Sequence, residues 1–291
     1  MNKIGLVVDE GADLPPEIIE KYQIATVPVK MDWPDVETLP GENTFQKMRE
    51  AEKREVKSFG KTSQPSPKDF LDVFKKQLEK FDKIICITLT SKLSGTYNSA
   101  CQAKNILGPE GERIFIVDSL SATCGEALLA LKAIDLTEKD ETVEETVKGL
   151  EGFVSRTHLI AMVEDPKWIE ASGRVSHTLA NWVRRMQKMG VRPILGVKKG
   201  LIKAIGIKAG AKDIPTALFY TFEARTKKLR SQRKKIRAAI THGDDLKGAQ
   251  RLKEMIEEEL EGVEVVFINL IDDVLGILVG PNALVLAWAM N

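Results

Sequence analysis

The chain has 291 residues, 43% apolar and 29% charged, a composition that suits a soluble globular protein long enough for two ordinary domains. With 43 Lys and Arg against 42 Asp and Glu, no net field draws it to nucleic acid or to an anionic membrane. Its cysteines, Cys86, Cys101 and Cys124, are odd in number, widely spaced and in no CxxC pair, and fit a reduced, cytoplasmic setting better than a disulfide framework.

In chain order, MNKIGLVVDEG opens with one Lys and a short apolar run ended by Asp9, too short for the hydrophobic region of a signal peptide. Ile4 to Val8 reads as a parallel strand covered on both faces, and Lys83 to Leu89 and Arg113 to Asp118 repeat the pattern. Asp13 is placed to cap a helix opened by Pro15-Pro16, and Asp9 stands at a strand end where it would support a ligand site. Ser66-Pro67-Lys68-Asp69 predicts a helix start, with Phe70, Val73, Phe74 and Leu78 following at helical spacing. A second helix is expected to start near Gly95. Thr142-x-x-Glu145 opens a third, with Val143, Val147, Leu150 and Val154 on its apolar face. Strands alternating with helices predict a doubly wound, mainly parallel sheet of Rossmann-like α/β class over residues 1–155.

Residues 156–291 differ in texture and predict a smaller α+β domain. LIAMVED, KIRAAIT and EVVFINLI are strand candidates, and PILGV and LIKAIGI read as a hairpin turning at Lys198-Lys199-Gly200. Helices are expected near Ile214 to Lys228 and Leu246 to Leu260. Val274 to Met290 holds no charge but is broken at Gly280-Pro281-Asn282, so it reads as a buried strand, a turn and a buried helix, with no transmembrane segment. The basic run from Arg225 to Arg237 lacks interleaved aromatics, and reads first as a solvated helix end and second as a docking patch for an acidic protein or membrane surface.

The chemistry-bearing stretches are few. GKTSQPSP, Gly60 to Pro67, opens like the tail of a P-loop, but the position that needs the first glycine is Glu55 and VKSF is no glycine-rich turn. LTSKLSGTYNSA, Leu89 to Ala100, follows a buried strand and precedes a helix, so Ser94, Gly95 and Thr96 lie where backbone N–H groups point outward and can receive an anion. Ser94 as a simple N-cap is the other reading, and the two are compatible. Thr62 and Ser63 precede the capping Ser66 in an extended segment with no such duty. Hydroxyls on two strand-end loops, with no metal-ligand cluster, suit a single carboxylate better than a polyphosphate, and ligands sit at the carboxyl ends of strands in such sheets. Catalysis is hard to assemble: there is no GxSxG elbow, and His158, His177 and His242 form no HExxH pattern.

VVDEGADLP, TSQPSPKDF, LTSKLSGTYNSA, VDSLSATCG, ASGRVS and RPILGVKKG occur here in the order seen in the DegV family, and the chain resembles that family over almost its whole length. The resemblance implies a Rossmann-like N-terminal domain, a smaller α+β domain and one long-chain fatty acid bound in a tunnel between them. Carried over by position, Thr62, Ser63, Ser94 and Gly95 would hold the carboxylate, with Arg174 and Arg192 near the domain interface. It implies no catalytic residue, no metal and no cofactor. In bacteria with a fatty acid kinase, that separate subunit would phosphorylate the presented carboxylate.

Three departures stand out. The family's final HxGPG is Leu278-Val279-Gly280-Pro281-Asn282, so a leucine replaces the histidine that reaches the carboxylate. Asp9-Glu10 stands for the usual Asp-Ser, and the arginine common after the domain-two hairpin is absent from IKAGAKD. Burying about 15 methylenes at roughly 0.8 kcal/mol each gives an upper bound near 12 kcal/mol, whereas one charged hydrogen bond contributes about 1.5–3 kcal/mol. Losing the histidine is therefore expected to weaken lipid binding without abolishing it. Two other roles remain open from the sequence: an enzyme using the same cleft, and a divergent interaction protein in which Leu278 marks loss of the head-group site.

Overall fold

The computed structural model describes residues 3–290; Met1 and Asn2, where the N-terminal reading begins, and Asn291 lie outside the described residues. The first half runs β1 (Ile4–Asp9), α1 (Pro16–Lys21), β2 (Ala25–Val27), β3 (Lys30–Asp32), α2 (Pro34–Glu37), α3 (Thr44–Lys53), β4 (Lys61–Ser63) and α4 (Pro67–Leu78). It continues through β5 (Lys83–Thr88), α5 (Thr96–Ile106), β6 (Ile114–Asp118), α6 (Cys124–Thr137) and α7 (Val143–Val154). The second half holds β7 (His158–Met162), α8 (Lys167–Ala171), α9 (His177–Lys188), β8 (Val191–Lys198), β9 (Leu201–Ala209) and α10 (Ile214–Ser231). It ends with β10 (Ile236–His242), α11 (Leu246–Glu259), β11 (Val263–Leu270), α12 (Asp273–Val279) and β12 (Leu284–Met290).

These elements form two compact units. The first runs to Lys30 and resumes over Ser63–Thr157, with Lys199–Leu201 added; the second takes Met31–Thr62, His158–Lys198 and the chain from Ile202. The division is thus no single cut: Met31–Thr62 groups with the second unit, which is the larger of the two.

The first unit carries a parallel sheet of order β2-β1-β5-β6. Its strands are continuous apolar runs because both faces are covered, and Val7, Ile84, Cys86 and Ile114 pack with Phe70 and Phe74 of α4 and with Ala100 and Ala103 of α5. Burial pushes the Cys86 thiol up, so it behaves as a small apolar side chain. Ser66 and Asp69 form the capping box of α4, and Thr142 and Glu145 that of α7. The buried stripe of α7 is Val143, Thr146, Leu150 and Phe153, rotated from the valine-based face that the sequence suggests. Asp13 does not cap α1: it lies at φ 50° after a short 3-10 turn, and Pro15 stands at the helix start without a side-chain cap.

The second unit carries a six-stranded mixed sheet of order β11-β10-β12-β7-β8-β9. β10 runs parallel to β11 and antiparallel to β12, which pairs antiparallel with β7. The β8–β9 hairpin turns at Lys199 and Gly200, whose φ values of 52° and 78° match a two-residue turn of the primed type. The charge-free run near the C-terminus folds in the order opposite to expectation, helix α12 first and strand β12 last. Asp272 decides this by accepting from Val274 N at 2.6 Å and Leu275 N at 3.0 Å, which starts a helix, while β12 fills the slot between β10 and β7. Among the described residues no helix is long and apolar enough to cross a membrane. The basic run spans the end of α10 and the following loop and is largely exposed, with Arg225 and Arg230 donating to carbonyls of Ile205 and Glu223.

Candidate functional site

In the first unit the strand-end loops are held by acids. Asp9 is fully buried; its carboxylate accepts from Gly11 N at 2.9 Å and from Leu89 N at 2.8 Å, joining the carboxyl ends of β1 and β5. Asp118, at the end of β6, accepts from Ser91 N at 3.1 Å and Leu120 N at 3.0 Å. The Thr90 hydroxyl donates to the Gly200 carbonyl at 3.1 Å, within the same unit. Glu10, the departure after Asp9, accepts from Val29 N at 2.7 Å and so ties down the chain beyond β2. Asp9 and Glu10 therefore hold main-chain amides of the scaffold.

These ties present the β5–α5 loop. Gly95 is the N-cap of α5 and has no side-chain cap, so Ser94 is not itself the N-cap. The Ser94 hydroxyl instead lies 2.8 Å from Thr96 Oγ1 and accepts from Thr96 N at 3.3 Å. The first turn of α5 thus leaves backbone N–H groups and a hydroxyl at one end of the sheet, the arrangement that attracts an anion. Across from it, Gln64 Nε2 donates to Ser99 Oγ at 3.0 Å, and Ser63 immediately precedes Gln64 with its side chain exposed. Gln64 was invisible to sequence reasoning because a lone amide in a loop carries no periodic signal; its place within TSQPS was the available clue.

In the second unit, Arg174 follows α8 in a turn in which its own N–H donates to Ser172 Oγ at 3.2 Å. Its guanidinium donates from Nη1 to the Ser172 carbonyl at 2.7 Å and from Nη2 to Thr62 Oγ1 at 2.9 Å. Arg174 is partly buried, and that burial lowers its pKa from the ordinary arginine value. Among the described residues no carboxylate pairs with it.

Leu278 is 9% exposed on α12, whose other buried residues are Val274, Gly276 and Ile277. That helix lies against the approach to Thr62: a Cβ on Gly60 would come within 2.5 Å of Ile277 Cδ1 and 2.9 Å of Trp33 Cε3. Gly60 is therefore a packing glycine. Trp33 and Trp168 stack edge-on at 5.8 Å, and Phe59 meets Trp168 at 5.4 Å, completing an aromatic wall beside α12. Asn282, where the family resemblance implies glycine, sits at φ 59°, a conformation that asparagine tolerates better than most residues. Its N–H donates to the Gly243 carbonyl at 2.7 Å, its Oδ1 accepts from Arg49 Nη2 at 2.9 Å, and its amide nitrogen reaches Glu164. Arg49 also pairs with Asp244, so α3 is tied to two loops of the second unit.

Other predicted residues have different duties. Arg192 donates to the carbonyls of Ala211 at 3.3 Å and Lys212 at 3.0 Å, anchoring the hairpin to the loop before α10. His242 is buried, its Nδ1 accepting from Asp245 N at 3.2 Å; burial lowers its pKa, against the opposing pull of Asp245 and Asp244. No group of His, Cys, Asp and Glu among the described residues could hold a metal ion.

Residues 3–291 match the family model described as an uncharacterised protein of the DegV family. A Thermotoga maritima protein named fatty acid-binding protein is 31% identical over 290 residues, covering 96% of this chain and 95% of that one. A DegV domain-containing protein of Clostridium acetobutylicum is 35% identical over 206 residues, 69% of this chain and 70% of the relative. Among solved structures, the fatty acid-binding DegV family protein from Thermus thermophilus is similar with a TM-score of 0.83 at 25% identity, covering 99% of this chain and 100% of that one.

Proposed function

The chain belongs to the DegV family, and from that premise we propose that it binds one long-chain fatty acid, with the carboxylate on Arg174, on the hydroxyls of Thr62, Ser63 and Ser94, and on the amide of Gly95. The observation that carries this reading is the partly buried Arg174 guanidinium, which has no carboxylate partner among the described residues. A guanidinium offers five donors, and a partly desolvated cation with donors to spare favours an anion. Because Thr62 Oγ1 accepts from Arg174, its own O–H is left to donate to a carboxylate oxygen. Ser94 and the start of α5 supply the kind of donors that suit the second oxygen.

Similar proteins named for fatty acid binding support the choice of a lipid over another small acid. The acyl chain supplies most of the affinity, at roughly 0.8 kcal/mol per buried methylene, and the head group fixes orientation. Leu278 brings no polar atom, so this chain orients the carboxylate with fewer donors than the family pattern implies. The role is carriage of the lipid; in a cell with a fatty acid kinase, the bound carboxylate is the group that subunit would act on.

Native mass spectrometry of protein purified from cells tests the reading. The expected result is one fatty acid mass per chain, lost on denaturing extraction. A chain that carries no lipid and takes none up from a mixture of fatty acids overturns it.

A further inference from the structure

Gly95 has φ −80° and ψ 7°, a backbone that any residue can adopt, so conformation does not explain the glycine. Space does. A Cβ there would meet Gln64 Oε1 at 1.9 Å, Cδ at 2.5 Å and Nε2 at 2.7 Å, so the whole Gln64 amide lies on the Gly95 backbone. Its Nε2 donates at 3.0 Å to the hydroxyl of Ser99, itself 1% exposed on α5. Gln64 is otherwise exposed, and contributes little to the core.

The neighbours in sequence give this contact its meaning. Ser63 precedes Gln64, and Ser94 precedes Gly95. Downstream, Pro65 is buried and Ser66 is locked into the capping box of α4, so the segment cannot slide past its own helix. We propose that Gln64 is a positioning residue for the carboxylate site: its amide clamps the Ser63 segment onto the start of α5 and sets the spacing of the Ser63 and Ser94 hydroxyls. Gly95 is glycine because the clamp occupies the volume of its side chain. Gln64 touches no ligand in this account; it acts through the two serines, and the inference rests on the fatty acid reading above.

The test measures binding of palmitic acid and of hexadecanol, which shares the alkyl chain but has no carboxylate, to the full chain. Gln64→Ala is expected to weaken palmitate roughly fivefold to tenfold, the size of one lost positioning hydrogen bond, and to leave hexadecanol unchanged. Gly95→Ala alone is expected to weaken palmitate similarly by displacing the amide. Melting curves within a few degrees of wild type confirm that each variant folds.

Palmitate affinity unchanged in Gln64→Ala, or palmitate and hexadecanol weakened alike, overturns the clamp while wild-type binding leaves the fatty acid reading standing. A wild-type chain that binds neither compound overturns the fatty acid reading, and the clamp with it.

Discussion

Arg174 and Thr62 lie 112 positions apart, yet Arg174 Nη2 donates to Thr62 Oγ1 at 2.9 Å. This bond joins two motifs, SGRVS and TSQPS, that the sequence could only place side by side as candidates. It also assigns complementary work, with the guanidinium as cation and the threonine as a hydroxyl held in one orientation.

Arg174→Ala should weaken palmitate binding by about 10-fold to 100-fold, the range of one charged hydrogen bond to a head group. Thr62→Ala should cost less, and the two losses should not add, because each residue orients the other. Isothermal titration of the single and double variants checks this; additive effects would separate the pair.

Shortening the ligand by four methylenes should cost up to about as much as removing the arginine. Each methylene withdrawn lowers affinity by up to about fourfold, so laurate should bind up to two orders of magnitude more weakly than palmitate. Competition against a fluorescent long-chain fatty acid reads this directly. Equal affinities for the two acids would mean that the alkyl chain is not buried.

Asn282 holds a left-handed conformation at φ 59° and bonds to Arg49 and Glu164. Asn282→Gly loses those bonds but relieves the backbone, so its net cost should stay within about 1 kcal/mol. Asn282→Val loses the bonds and adds β-branched strain, and should cost about 2–3 kcal/mol. Urea unfolding of both variants decides the matter, and equal stabilities would show that the backbone conformation is unstrained.

His242 is buried with its pKa lowered below 6.5. The unfolded chain then binds the proton more readily than the folded one, so stability falls as pH drops through about 6.5 toward the folded value. Melting temperatures between about pH 7 and pH 5 should decline, and His242→Asn, whose amide oxygen can still accept from Asp245 N, should flatten part of that decline. An identical pH profile in the variant would assign the loss to other groups. His158, lowered by partial desolvation and by the Arg225 charge, contributes in the same direction.

What the sequence determined by itself was local. The apolar runs of β1, β5 and β6, the capping boxes at Ser66 and Thr142 and the turn at Lys199-Gly200 were legible because each depends on residues a few positions apart. The hydroxyls at Thr62, Ser63 and Ser94 stand out locally too, as polar groups at strand ends, but the sequence offers them only as candidates. Tertiary structure decided the rest. A charge-free run such as Val274–Met290 fits helix or strand equally well by pattern, and only the vacancy between β10 and β7 and the cap at Asp272 fix which half is which. The grouping of Met31–Thr62 with the second unit, the Arg174–Thr62 bond and the seating of Gln64 on Gly95 are contacts between segments far apart in the chain. No local pattern encodes them, because their formation is favoured only after each segment has folded and the packing has brought them together.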